Sequence, residues 1–384
     1  MPNAITRRAA LVGALGWGLA APHARAAAPV VRALAEPALK VARPTQAVLQ
    51  AVVRAGSSGR LVAAGERGLV IVSDDAGRSW TQARVPVSCT LTSLCFADAK
   101  RGWATGNMGV VLETEDGGVS WTRRLDGTQA AELALIAARA QVVNRPANGD
   151  GAEKDAVLLE DAQRLVAEGP DKPLLDIVLR ADGSLVAVGA YGLAFSSSDG
   201  GRVWRPWMHR LPNPDGLSYY GLAERRGESL LFGEQGLLLR SGGNDTFVAQ
   251  ESPSQGSLFG SLALREGPLL LLGLRGRLWR SAGAGEAWRQ VDTPVEASLI
   301  AGTQLVDGRV LVAGAAGQLL QSTDGGMRFQ PLSIAQRFPF TGLAEAGDGA
   351  LVVVGMRGLM RLTPAELAAA ASGGASSSSR KPGA

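Results

Sequence analysis

The chain has 384 residues, 46% hydrophobic and 19% charged, and 39 basic residues against 35 acidic give a formal charge of +4. Arg7, Arg8 and Arg25 fall in the first 26 residues, which hold no acid. Without them 36 basic residues face 35 acidic ones, so the rest lacks the basic excess of a nucleic-acid-binding surface. Gly 50 and a mean hydropathy of +0.08 fit a turn-rich all-β globule and exclude a largely disordered chain.

The N-terminus reads as an export signal. MPNAITRR is a basic opening, AALVGALGWGLAAP a 14-residue apolar stretch, and Ala24-Arg25-Ala26 a small-x-small cleavage site, which predicts removal of residues 1–26. Thr6-Arg7-Arg8 before an Ala/Gly-rich stretch leaves both the twin-arginine and the ordinary secretory route open. Either one predicts an exported protein, periplasmic or in a compartment like the thylakoid lumen. No later segment reaches the roughly 20 apolar residues that a spanning helix needs.

From residue 49 the chain repeats one design. LVAAGERGLVIVSDDAGRSW (61–80) joins two short β-branched runs by a G-x-x-G turn, Gly65 to Gly68, and closes on S-x-D-x-G-x-x-W. The offset from Gly65 to Ser73 recurs as Gly106 to Thr114, Gly189 to Ser197, Gly233 to Ser241, Gly273 to Ser281, Gly314 to Ser322 and Gly355 to Thr363. A further run such as LQAVVRAG (49–56) precedes each pair, so each unit is a meander of four strands, A to D. First-glycine spacings of 41, 83, 44, 40, 41 and 41 residues suit a blade of about 40 to 45 residues. The expected fold is an all-β seven-bladed propeller of four-stranded antiparallel blades, spanning 36–366. The paired glycines are expected to supply positive φ at the turn. ALKVARP (38–44) is expected to close the ring as the missing fourth strand of the last blade, since a bare edge would otherwise remain.

The 83-residue gap is the one irregularity. Its middle, NRPANGDGAEKD, lacks a G-x-x-G turn. In DAVLLEDAQRLVAEG, Leu158, Leu159, Ala162, Leu165 and Val166 follow helical spacing. A helical hairpin inserted after blade 2, over 128–170, is the expectation, and a poorly marked pair of strands the alternative. LAAAAS, after Glu366, reads as a helical turn and 372–384 as a disordered tail. Cys89 and Cys95 lie six apart; a disulfide and two buried thiols both remain open, although an extended segment would hold them too far apart to bridge.

S-x-D-x-G-x-x-W resembles the Asp box, or BNR repeat, of sialidase-type propellers. It is complete at Ser73, Asp75, Gly77 and Trp80, at Thr114, Asp116, Gly118 and Trp121, and at Ser197, Asp199, Gly201 and Trp204. Ser322, Asp324, Gly326 and Phe329 replace the tryptophan, SAGAGEAW (281–288) has Gly283 in place of the aspartate, and SGGNDTF (241–247) is one residue short. Coupled to G-x-x-G behind an export signal, the pattern over about residues 40–365 is similar to the photosystem II assembly and stability factor family. The resemblance implies a non-enzymatic extracytoplasmic propeller that binds a membrane protein or a subunit of a membrane complex during assembly. A glycan-binding or sialidase-like glycoside-hydrolysing propeller is the alternative.

Chemistry finds little footing. A sialidase would need an Arg-Ile-Pro motif, which the sequence lacks. Outside the signal His209 is the sole histidine, which excludes multi-histidine metal clusters; a Ser-His-Asp triad would have to use it. The G-x-x-G turns lead into strands and so are not phosphate loops. One carboxylate per Asp box is too few for Ca²⁺. No catalytic residue, metal or cofactor is expected.

In a meander the A-B and C-D turns leave one face, and the B-C turns and D-to-A links the other. Asp boxes therefore face away from the G-x-x-G turns, whose variable residues are the expected recognition surface. Candidate partner-binding residues there are Arg67, Arg275 and Arg357 in the turns, Trp207, Arg210, Tyr219 and Tyr220 in one link, and Arg337 and Phe338 in another.

Overall fold

The computed structural model describes residues 31–144, 151–225, 227–241, 246–282 and 287–375. The export signal predicted over 1–26 lies outside them, as do residues 376–384.

Blade 1 comprises β1 (Leu49–Arg54), β2 (Leu61–Gly65), β3 (Val70–Ser73) and β4 (Thr81–Gln82); blade 2, β5 (Leu91–Phe96), β6 (Gly102–Gly106), β7 (Val111–Thr114) and β8 (Thr122–Leu125). Blade 3 comprises β9 (Leu174–Leu179), β10 (Leu185–Gly189), β11 (Ala194–Ser197) and β12 (Arg205–Pro206); blade 4, β13 (Tyr219–Arg225), β14 (Glu228–Gly233), β15 (Leu238–Ser241) and β16 (Phe247–Ala249). Blade 5 comprises β17 (Leu258–Ala263), β18 (Leu269–Gly273), β19 (Leu278–Ser281) and β20 (Arg289–Val291); blade 6, β21 (Leu299–Gln304), β22 (Val310–Gly314), β23 (Leu319–Ser322) and β24 (Gln330–Pro331). Blade 7 has three strands, β25 (Phe340–Glu345), β26 (Leu351–Gly355) and β27 (Gly358–Leu362). All pairings within the blades are antiparallel, and the inner strands touch in a closed ring in which β25 meets β1. The chain is a seven-bladed β-propeller.

The second strand of every blade is the most deeply packed. LVAAG, LVAVG, LLLLG and LVVVG are buried at every position because both faces of the sheet meet a neighbouring blade. Apolar cores accordingly lie between blades. Leu61 and Ile71 of blade 1 pack with Val352 and Val354 of blade 7, and Trp103 of blade 2 with Leu185 and Phe195 of blade 3.

The S-x-D-x-G turns are self-contained hydrogen-bond knots. Ser73 Oγ donates to Asp75 Oδ1 (2.8 Å) and accepts from Gly77 N (2.9 Å), Asp75 Oδ1 also accepts from Ser79 N (2.8 Å), and Trp80 Nε1 donates to Gly77 O (3.1 Å). The same bonds recur around Thr114 and Asp116, around Ser197 and Asp199, and, without the indole, around Ser322 and Asp324. Each of these turns is also tied to the blade before it by an arginine. Arg60 donates to Gly117 O, Arg101 to Gly200 O, Arg280 to Gly325 O and Arg361 to Ala76 O, at 2.9 to 3.2 Å.

The last of those ties closes the ring, and closure differs from the expectation. ALKVARP does not join blade 7. After a single helical turn, α1 (Arg32–Ala35), the chain runs beside the outer strand of blade 1, where Ala38 N donates to Val85 O (3.0 Å) and Val41 N to Gln82 Oε1 (2.9 Å). The outer side of blade 7 is instead packed by a C-terminal helix. It begins because Thr363 and Glu366 cap each other's backbone amides, Thr363 N to Glu366 Oε2 at 2.8 Å and Glu366 N to Thr363 Oγ1 at 3.2 Å, with Pro364 at its first position. Its Leu367 and Ala370 bury into the core of blades 6 and 7. Blades 7 and 1 then join through Asp348, which pairs with both Arg361 and Arg78 (2.6 Å to the latter), and through Thr341 Oγ1 donating to Leu49 O (2.8 Å).

The gap after blade 2 holds two helices, α2 (Gly127–Asn144) and α3 (Ala152–Glu168), rather than the alternative strands. Asp126 caps α2 by accepting from Thr128 N (3.0 Å) and Gln129 N (3.1 Å). Small residues let the hairpin close tightly, Ala134 and Ala138 of α2 against Ala162 of α3. The C-terminal helix, α4 (Pro364–Ala375), runs into the first residues of the segment expected to be disordered. Cys89 and Cys95 are both free thiols; burial pushes Cys89 up to about 11 and raises Cys95 as well.

The turns make the fold acid-sensitive. Val203 N and then Ser197 Oγ hold the Asp199 carboxyl below its usual range. A depressed folded pKa stabilises fully above the unfolded value of about 3.9 and loses that contribution as pH falls through the folded value. The expected outcome is a urea midpoint that declines below about pH 4, and an Asp199→Asn protein that is less stable at pH 7 by about 1 kcal/mol, a solvent-screened value, with a flatter acid limb.

Candidate protein-binding face

The G-x-x-G turns and the D-to-A links are locked into one surface. In every turn the residue after the first glycine donates its amide to the link that leads into the same blade: Glu66 N to Val48 O (3.0 Å), Asn107 N to Thr90 O (2.8 Å), Ala190 N to Pro173 O (3.1 Å), Glu234 N to Ser218 O (2.9 Å), Leu274 N to Ser257 O (3.1 Å), Ala315 N to Ser298 O (2.8 Å) and Met356 N to Pro339 O (3.0 Å). The second glycine lies against the following link. A Cβ there would stand 2.0 Å from Val87 O at Gly68, 2.0 Å from Ser254 O at Gly236 and 1.9 Å from Val295 O at Gly276. At Gly358 it would stand 2.0 Å from Thr45 O, so the lead-in segment takes the place of a link between blades 7 and 1.

The two glycines serve different needs, which corrects the expectation of positive φ at both. Gly65 has φ of −171°, which any residue adopts; it is glycine because a Cβ would lie 2.1 Å from Val48 O. The second glycine does take positive φ in all seven turns, 72° at Gly68 and 94° at Gly358 among them, and in five of them the residue before it does so too. Arg67, Met108, Tyr191, Gln235 and Arg275 all sit in the left-handed region, with φ of 53°, 61°, 56°, 52° and 58°. None is glycine or asparagine, the residues that reach this region most cheaply. Five blades thus hold a large side chain in a strained backbone at the same point of one rim.

On the S-x-D-x-G face Arg60 pairs with Asp74, Arg78 and Arg361 with Asp348, and Arg101 and Arg124 with the buried Glu113, while Arg202 and Arg328 are exposed and make no ion pair among the described residues. On the opposite face Arg67, Arg275, Arg337 and Arg357 are exposed, and none makes an ion pair or side-chain hydrogen bond among the described residues. Two nearby acids are occupied, since Glu66 Oε1 accepts from Val48 N and Glu234 Oε2 from Ser218 N, both at 3.0 Å. Glu296 lines the same depression as Arg337.

The aromatic candidates separate differently. Trp207, Phe338 and Tyr219 are buried at 3%, 7% and 1% exposure, and cannot be offered to a partner. Trp207 stacks edge-on against Phe247 at 5.1 Å, Phe338 does so against Phe340 at 4.9 Å, and Tyr219 fills the core between blades 3 and 4. They anchor the links because a link pressed against two turns needs apolar weight beneath it. Arg210 is exposed, with Nε on His209 Nε2 at 3.4 Å. Tyr220 is half-buried, its ring 5.5 Å from Phe259.

Tyr220 and Phe259 belong to a set the sequence reading missed. Every inner strand has a bulge at its second residue, where pairing slips, at Gln50, Thr92, Leu175, Tyr220, Phe259, Ile300 and Thr341. These half-buried residues lie at the G-x-x-G end of the inner strands, where Thr92 Oγ1 donates to Leu174 O and Thr341 Oγ1 to Leu49 O of the neighbouring blade. The available signal was their distance of 13 to 15 residues from the first glycine of each repeat. Asp176 bridges three blades, accepting from Ser93 Oγ (2.8 Å), Ile177 N (2.9 Å) and Leu222 N (3.2 Å), and burial raises its pKa.

Catalytic readings gain no geometry. His209 is held by Arg210, and loss of water followed by the charges of Arg210 and Lys154 lowers its pKa. Among the described residues no cluster of three His, Cys, Asp or Glu could hold a metal ion, and no helix is long and apolar enough to cross a membrane.

Fold and surface define a seven-bladed propeller whose G-x-x-G face exposes four arginines that make no ion pair among the described residues. Residues 72–144 match the family model described as photosynthesis system II assembly factor YCF48. No curated protein matches the chain significantly in sequence. Among solved structures it is similar to YCF48 bound to D1 peptide (16% identity, covering 85% of this chain and 99% of the other, TM-score 0.57) and to YCF48 from Cyanidioschyzon merolae (15%, 84% and 97%, 0.58). It is also similar to a streptogramin B lyase (14%, 86% and 99%, 0.62), so the fold itself does not decide for or against catalysis.

Neighbouring positions in one turn should respond in opposite directions. Gly276→Ala places a methyl on Val295 O and is expected to lower stability by roughly 2 kcal/mol or more. Arg275→Gly removes the left-handed strain and should leave stability unchanged or raise it by up to about 1 kcal/mol. Urea unfolding of the two variants checks both.

Proposed function

We propose that this propeller is a non-enzymatic binding module, exported to the periplasm or a lumen-like compartment after cleavage near Ala26. Its role is to bind a membrane protein or a subunit of a membrane complex during assembly. The face that binds is the one carrying the G-x-x-G turns. The carrying observation is the set of arginines on this rim: Arg67, Arg275, Arg337 and Arg357 stand exposed with no ion pair among the described residues, while Arg60, Arg101, Arg280 and Arg361 on the opposite face tie blade to blade. Exposed guanidinium groups on a frame this rigid suit carboxylates on a partner, since arginine offers a planar fork of donors at little entropic cost. The strained turns support the same reading, because backbone strain persists where a presented side chain is needed. That YCF48 has been seen with a D1 peptide supports a polypeptide as the ligand class. No observation favours the glycan-active alternative.

Reversing charge at Arg67, Arg275 and Arg357 together is expected to weaken capture of the membrane partner by at least about tenfold, with a steep salt dependence in the wild-type protein. Thermal unfolding should be unaltered. Crosslinking in the protein's own membrane, comparing wild type with the triple variant, measures it; unchanged capture with the fold intact would remove the basis for the proposal.

A further inference from the structure

The seam where the ring closes carries a row of cations that continues past the turns. The lead-in segment, residues 38–45, lies across this seam and reaches from the blade 1 turn to the blade 7 turn. A Cβ on Gly68, the residue after Arg67, would lie 3.2 Å from Ala38 Cβ, and one on Gly358, the residue after Arg357, would lie 2.0 Å from Thr45 O. Between those two ends the segment carries Lys40 and Arg43. Its backbone is fixed. Ala38 N donates to Val85 O (3.0 Å), and the Gln82 carboxamide holds both Leu39 O (2.8 Å) and Val41 N (2.9 Å), as a neighbouring strand would. Arg357, Arg43, Lys40 and Arg67 therefore follow one another along the seam, each exposed and none in an ion pair among the described residues.

The surroundings of this row are poor in acids. Residues 37–65, 329–344 and 349–365 contain none, which covers the lead-in, the link from blade 6 to blade 7 and the blade 7 turn. Just outside these stretches, Glu66 Oε1 accepts from Val48 N (3.0 Å) and Glu36 pairs with Arg32 (2.6 Å). Arg337, on the blade 6 flank, differs because Glu296 lines the same depression. Like charges held this close repel one another in the free protein, and an anionic ligand relieves that repulsion. Two exposed apolar side chains accompany the cations, Leu39 (71%) beside Lys40 and Met356 (48%) beside Arg357. Eight residues of lead-in reach at most about 28 Å, so a ligand that follows the row must itself be a chain of about that length.

We propose that this row receives an extended acidic stretch of the partner polypeptide, whose carboxylates meet Arg357, Arg43, Lys40 and Arg67 and whose apolar side chains meet Leu39 and Met356. The inference rests on the reading of the open face as a polypeptide-binding surface. It adds the lead-in to that surface and names acidity as what the partner presents there.

A displayed library of random peptides, selected on the immobilised full chain, supplies the probe, and the best-enriched sequence is labelled with fluorescein for anisotropy titrations. Lys40→Glu with Arg43→Glu reverses the lead-in, Leu39→Ser removes its apolar contact, and Arg275→Glu reverses an exposed arginine off the row. Thermal melting establishes that each variant is folded. Acid-rich peptides are expected to be enriched. Their binding should weaken about tenfold or more in the Lys40 and Arg43 reversal, several-fold in Leu39→Ser and least in Arg275→Glu. Enriched peptides without acids, or an Arg275→Glu protein as impaired as the Lys40 and Arg43 reversal, overturns the row. Equal binding by Leu39→Ser overturns its apolar contact. Indifference to the Lys40 and Arg43 reversal, with binding lost in the Arg67, Arg275 and Arg357 reversal, overturns the row while the wider reading stands. The converse overturns the wider reading and reduces the site to the lead-in. No enrichment on the wild-type chain overturns both, and sedimentation of that chain with phosphatidylglycerol vesicles would then assign the row to lipid.

Discussion

The contact between a turn glycine and a link carbonyl governs the open face. Where Gly68, Gly236, Gly276 and Gly358 would place a Cβ about 2 Å from a carbonyl oxygen, there is no space for any side chain, so turn and link pack backbone on backbone. The amide of the residue after the first glycine is bonded to the preceding link at the same time. Each turn is thus held from both sides, and the residue between has no freedom to relax. In the turns of blades 1, 4 and 5 this clamp accompanies the left-handed φ of Arg67, Gln235 and Arg275. The cost is on the order of 1 kcal/mol at each position, and it is offset by the blades on either side.

The opposite face does a different job with similar residues. A guanidinium there reaches across to a carbonyl of the next blade's turn, and the aspartate of that turn is saturated by its own backbone. Because the fourth such tie runs from Arg361 in blade 7 to Ala76 in blade 1, the ring closes with the chemistry of any other blade boundary and without a shared strand. The free side of blade 7 is then packed by α4, so the edge is managed by a helix. Polarity of the molecule follows from this division. One face ties blade to blade through its arginines, and the other leaves Arg67, Arg275, Arg337 and Arg357 exposed to solvent.

Much of this was legible in the order of residues. Repeats fix the number of blades, because seven copies of one glycine-to-serine offset leave no other arrangement of short strands. Helical spacing around Leu158, Ala162 and Leu165 identified the insertion. The rest depended on tertiary contact. Trp207, Tyr219 and Phe338 looked like surface aromatics because links are normally exposed, yet links clamped between turns need buried anchors, and these are the anchors. Closure was misjudged for a related reason. A strand-like ALKVARP and a missing fourth strand invite pairing, but a mutual Thr363 and Glu366 cap starts a helix where that strand would lie. The bulge residues were hidden because nothing in a local pattern separates a slipped residue from a paired one.

A ring of similar blades has no inherent direction, and a ligand lying on it could rotate from blade to blade. The insertion removes that ambiguity. By raising α2 and α3 beside blade 3, it walls one sector of the open face, while the unpaired arginines occupy blades 5, 6, 7 and 1. Between the two lie Tyr220 and Phe259, apolar and in mutual contact. The open face thus runs from α2 and α3 beside blade 3, past Tyr220 and Phe259, to the arginines of blades 5, 6, 7 and 1.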